Sequence, residues 1–127
     1  MAAAAVRSER RTDEGVKMTS KVRVHMNICE KISTITVTTN WDGNFDVHIA
    51  TSCPNVKEFG EGLTDLTIED LVDKVNSRII NRYRNVKMSA NCAVPSGVLS
   101  AAWLEAGLIA RSRAMTKKCN VIEFLPE

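Results

Sequence analysis

From Val22 onward the chain falls into three stretches of alternating apolar and polar residues. Val22, Val24, Met26 and Ile28 alternate with Arg23, His25 and Asn27, the period-two signature of a half-buried strand. Residues 34–39 form a second strand with Ile35 and Val37 inward, and Phe45, Val47 and Ile49 mark a third. Matching apolar faces sets the expected registers, because a one-residue slip turns every side chain over. Met26 is expected opposite Ile35 and Val24 opposite Val37, with residues 29–32 as the turn. A three-residue loop, 42–44, with Asn44 in the left-handed region, is expected to set Trp41 against Phe45 and Val37 against Ile49.

The period then changes to that of helices. Ser52-Cys53-Pro54 opens a first helix with proline at a favoured position, and Val56, Phe59 and Leu63 form its stripe. Thr67 and Asp70 form a capping-box variant ahead of a second helix carrying Ile68, Leu71, Val72, Val75, Ile79 and Tyr83. A third runs from near Pro95 to Gly107, apolar almost all round, with Glu105 its lone charge; such a helix is buried or sits in a subunit interface. Residues 121–125 are read as an added last strand. The expected fold is therefore two-layer α+β: a three- to four-stranded antiparallel sheet with about three helices packed on one face. Residues 1–20, polar and aperiodic, are read as a disordered leader, with Met18 an equally good start, and 21–127 as one domain.

Composition narrows the function classes. A net charge of +2 gives no general attraction to polyanions. The basic clusters at Arg78, Arg82, Arg84 and Lys87, and at Arg111, Arg113, Lys117 and Lys118, read as solvated surface. With one Tyr, three Phe and two Trp there is no base-stacking platform, so nucleic acid is not an expected partner. No apolar run reaches membrane-span length, and the first 20 residues lack the apolar centre of a signal peptide. A cytoplasmic protein is expected, whose four cysteines are free thiols rather than disulfides.

Three of those cysteines carry the candidate chemistry. The expected registers bring Cys29 and Cys53 to one edge of the sheet, their backbones two strand spacings, about 10 Å, apart. Cys53 and Cys92 each precede a helix, where partial positive charge favours thiolate. Thiolates so placed form a soft-metal site that selects an iron–sulfur cluster, zinc or copper(I), with a fourth position open. Cys29, Cys53 and Cys92 are thus the expected metal ligands of a small carrier, sensor or electron-transfer protein. One alternative is an enzyme or sulfur carrier using Cys53 alone. Another is an interaction module with inert, buried cysteines, in which the third helix or the Thr-rich sheet face forms a homodimer or binds a protein partner. His25 and His48 lie on the polar face of the sheet and are read as solvated; Cys119 has no expected partner.

The segments Ile28-Cys29, Ser52-Cys53-Pro54-Asn55-Val56 and Cys92-Ala93-Val94-Pro95-Ser96, with Ala106-Gly107-Leu108 ending the next helix, are familiar together. Over residues 20 to about 115 they resemble a small three-cysteine family of unknown function from anaerobic archaea and bacteria. The chain departs from that family's pattern at Glu30-Lys31, where it has Gly-Phe, and at Ala93, where it has Pro. The resemblance implies no activity; it points to Cys29, Cys53, Cys92 and Pro95, and passes over Cys119.

Overall fold

A computed structural model describes residues 19–127. The three alternating stretches form strands β1 (Thr19–Met26), β2 (Lys31–Thr39) and β3 (Phe45–Ala50), joined in the antiparallel order β1-β2-β3. Of the expected leader, residues 1–18 lie outside the described residues, while Thr19 and Ser20 already belong to β1. The chosen faces hold: Val24, Ile35, Val37, Phe45 and Val47 are buried on one side.

Both registers differ from expectation by an even number of residues, which is why the faces survive. Val22 pairs with Ile35 and Val24 with Ser33, and the turn is residues 27–30 rather than 29–32. Glu30 adopts φ 57° there, and its N–H donates to the Asn27 carbonyl at 3.3 Å. In the second hairpin Val37 faces Val47 and Thr39 faces Phe45, leaving a five-residue loop, 40–44. The side-chain oxygen of Asn40 accepts the backbone N–H groups of Asp42 and Asn44, each at 3.0 Å, and closes the loop from within. Gly43, not Asn44, takes the positive φ, and Trp41 is exposed in the loop, with Thr39 in its expected place opposite Phe45.

Five helices follow: α1 (Pro54–Gly60), α2 (Ile68–Val72), α3 (Arg78–Asn85), α4 (Val94–Glu105) and α5 (Arg111–Lys117). The expected second helix is split into α2 and α3. Asp73 is responsible, because its carboxylate accepts the backbone N–H groups of Val75 and Asn76 at 2.9 and 3.1 Å, a local turn that competes with helix. Those bonds, with the side chain of Asn76, hold the Asp73 carboxyl below the usual carboxylate range. Ser77 then restarts the helix, its hydroxyl oxygen accepting from Ile79 N at 3.1 Å. Asp70 ties the two pieces together by accepting from Thr67 N at 3.0 Å and from Arg78 N at 2.9 Å. Burial alone would raise the Asp70 pKa; these backbone bonds and the Arg78 guanidinium outweigh it and hold the carboxyl below its ordinary range.

Helix α4 lies across β1 and β2. Gly97 permits the approach, since a Cβ there would stand 2.4 Å from Val24 Cγ2 and 2.9 Å from Ile35 Cδ1. The apolar surface of α4 is therefore covered within this one chain, with Val98, Ala101 and Ala102 fully buried. Its indole Trp103 donates to the Leu71 carbonyl at 2.8 Å and fastens α2 to the same layer. Residues 121–125 form no strand, so the sheet has three strands among the described residues. The stretch is rich in strand-forming residues, but such residues need a pairing edge, and among the described residues it meets none.

Candidate functional site

The direction of α4 fixes where the cysteines fall. Gly97, near its start, meets Val24 and Ile35, while Glu105, at its end, meets Ser20 and Thr39. The N-terminus of α4 thus points toward the β1–β2 turn. Cys92, two residues ahead of α4, lies toward that end of the sheet. Cys29 occupies the turn itself, exposed, its thiol directed at the Met26 carbonyl at 3.7 Å. Cys53 follows β3 at the same end as the residue preceding α1, its N–H donating to Thr51 Oγ1 at 3.1 Å.

The three thiols share an end of the domain but not an environment. Cys53 and Cys92 are half-buried against the apolar core, whereas Cys29 is in solvent. Among the described residues no group of three or more His, Cys, Asp or Glu side chains is placed to hold a metal ion. The longer first hairpin contributes to this: with β1 ending at Met26, Cys29 sits at the tip rather than beside the strand. Cys119 is exposed just beyond α5.

Two features outside the cysteine set are stronger than the sequence suggested. The first is the carboxylate of Glu105, fully buried, which accepts from Ser20 Oγ at 2.8 Å and Thr39 Oγ1 at 2.6 Å. Arg111 from α5 stands 3.8 Å from it and donates to Ser20 Oγ at 2.8 Å. A buried charge needs such partners to be tolerated, and together they clamp the end of α4 to β1 and β2. The lone charge of an otherwise apolar helix was the available signal; nothing in the spacing pointed to Ser20, Thr39 and Arg111.

The second is the pair of surfaces that the helices leave uncovered. One sheet face carries Lys21, Arg23 and His25 on β1, Ile32, Thr34, Thr36 and Thr38 on β2, and His48 on β3, with both histidines exposed as expected. The outer edge of β3 is covered: Phe45 exchanges backbone hydrogen bonds with Leu66, and Val47 N donates to the Leu63 carbonyl at 2.9 Å. The outer edge of β1 has no such cover among the described residues. Beyond α5, the segment 119–127 extends without secondary structure, and Val121, Ile122, Phe124 and Leu125 are 74–87% exposed.

Among the described residues these features define a two-layer α+β domain with an open sheet face, an open edge at β1 and an apolar segment beyond α5. None of its helices among the described residues is long and apolar enough to cross a membrane. Residues 20–118 match a family of unknown function, DUF6951, and the chain belongs to that family. The match runs from β1 through α5 and stops short of the apolar segment. No curated protein and no solved structure matches the chain.

Proposed function

We propose that this protein is a non-catalytic binding module that engages protein chains through its C-terminal apolar segment. The observation that carries this is the exposure of Val121, Ile122, Phe124 and Leu125 within five residues, each at least 74% accessible. Scattered exposed apolar residues are ordinary, but a contiguous group marks an interaction surface. The residues are of strand-forming type, and Pro126, which lacks an N–H, ends the run.

A photo-reactive phenylalanine analogue in place of Phe124, activated in intact cells, tests the proposal. It predicts a covalent adduct of discrete mass that disappears when Ile122→Ser is added. The same analogue at Val75, exposed on the linker between α2 and α3, gives the background. No adduct above that background contradicts the reading.

A second reading concerns the thiols. What supports it is the common location of Cys29, Cys53 and Cys92 toward one end of the sheet, with the exposed member on a hairpin tip. Thiolates brought together there would take a soft metal or an iron–sulfur cluster. Anaerobic purification, metal analysis and visible absorption test it. Stoichiometric metal lost in Cys29→Ser supports the reading, and a colourless, metal-free protein contradicts it.

A further inference from the structure

We infer that the partner of the apolar segment is a second copy of this chain, and that residues 121–125 of each copy add a fourth strand to the open edge of the other copy's β1. The inference rests on the binding-module reading and names the partner and the surface. Three observations point to it. The segment has the alternation and residue types of a strand yet pairs with nothing among the described residues. Among the described residues the uncovered edge of the sheet belongs to β1, because the 63–66 stretch occupies the other side at β3. An unpaired edge is a template for an incoming strand.

The two surfaces also match in chemistry. Along β1 the core-facing positions are Val22, Val24 and Met26, with Val22 and Met26 only half-covered, and the opposite face carries Lys21, Arg23 and His25. Alternation along the segment sets Ile122 and Phe124 on one face and Glu123 on the other. An antiparallel addition with Glu123 opposite Arg23 puts Ile122 beside Val24 and Phe124 beside Val22. The carboxylate then faces Arg23, with Lys21 and His25 diagonal to it, and the apolar pair extends the core over the half-covered Val22 and Met26. A one-residue slip would set Ile122 and Phe124 against the basic face and is disfavoured. On the polar face Val121 comes beside His25, whose β2 neighbour is the exposed Ile32. A buried aromatic side chain contributes about 150–250 Å². The exchange is reciprocal, so each copy lays one such aromatic, Phe124, and Ile122 beside it against the other copy's β1, and the backbone hydrogen bonds of the added strand supplement that burial.

Sedimentation velocity on the full chain, from low to high micromolar concentration, tests the exchange. The expected result is a species of twice the chain mass that is lost in the Ile122→Ser/Phe124→Ser variant while the circular dichroism of the domain is unchanged. Arg23→Glu and Glu123→Arg, each alone, should weaken association by roughly tenfold, and the two together should restore it. A single-chain mass at every concentration overturns the inference, and so does a two-chain species indifferent to the Ile122/Phe124 changes. Weakening without restoration overturns the Glu123–Arg23 pairing. The cellular adduct at position 124 separates this failure from failure of the broader reading. An adduct with a different protein leaves the binding module standing and removes the second copy, whereas no adduct removes both.

Discussion

Replacing Gly97 by alanine sets helix propensity against packing, and the distances decide the outcome. Alanine in a helix interior is favoured over glycine by about 1 kcal/mol. The added methyl, however, would stand 2.4 Å from Val24 Cγ2 and 2.9 Å from Ile35 Cδ1. Carbon atoms in contact prefer about 3.5–4.0 Å. Neither neighbour can retreat, because Ile35 is fully buried and Val24 nearly so, both under α4 at the centre of the hairpin. Overpacking of this kind costs about 1–3 kcal/mol, and two clashes on immobile side chains place it at the upper end. The net expectation is a loss of about 2 kcal/mol, or about 10 °C in melting temperature for a domain of this size. Urea unfolding followed by circular dichroism measures it, with an unchanged dependence on denaturant. Gly60→Ala serves as the comparison, since its methyl would meet Ile49 alone, at 3.1 Å from Cδ1 and 3.4 Å from Cγ1, and should change stability little. Gly97→Ala more stable than the parent would refute the α4–sheet packing described above.

Glu105→Ala should cost about 3 kcal/mol or more by leaving Ser20 and Thr39 hydroxyls buried without their acceptor, and Glu105→Gln, which can still accept from one of them, should cost less; chemical unfolding ranks the two. Asp70 is held below its unfolded pKa, so the stability it contributes is present above about pH 4 and is lost as pH falls through the folded value. The stability gap between parent and Asp70→Asn should therefore narrow on acidification below that point, and a gap independent of pH would count against the Thr67 and Arg78 bonds. Alkylation resolved by mass spectrometry should label Cys29 and Cys119 at the rate of an unfolded thiol and Cys53 and Cys92 more slowly; equal rates at all four sites would contradict their difference in burial.

Periodicity was sufficient for the layer of the fold that depends on faces, and insufficient where a single side chain redirects the backbone. Ile35, Val37 and Val47 declare their side of the sheet by alternation alone, and any register of the right parity buries them. Which of those registers forms depends on the loops, where the side-chain oxygen of Asn40 and the left-handed Glu30 select turns that apolar matching cannot distinguish. Asp73 acts similarly in breaking a stretch with unbroken helical spacing, and exposed Val75 is the mark it leaves. The start of α4 at Val94 and its end before Gly107 were legible because proline and a positive-φ glycine punctuate them.

The candidate site was legible to a smaller degree. Strand order places Cys29 and Cys53 toward one end of the sheet, whereas the position of Cys92 follows from the direction of α4, which its contacts at Gly97 and Glu105 set. Burial does not follow from it: a hairpin longer than expected carries Cys29 into solvent and leaves the other two against the core. The apolar residues at 121–125 read as a strand and form none, because pairing is a property of the edge a strand meets and no local pattern specifies that edge.

Amide hydrogen exchange across residues 119–127 of the concentrated full-length protein bears most directly on the claim that this segment is a docking strand. The account predicts slow exchange through 121–125, matched by protection on the outer edge of β1, with both lost together in Ile122→Ser/Phe124→Ser. Exchange of 121–125 at the rate of an unstructured peptide at every concentration, beside an otherwise well-protected sheet, would contradict it.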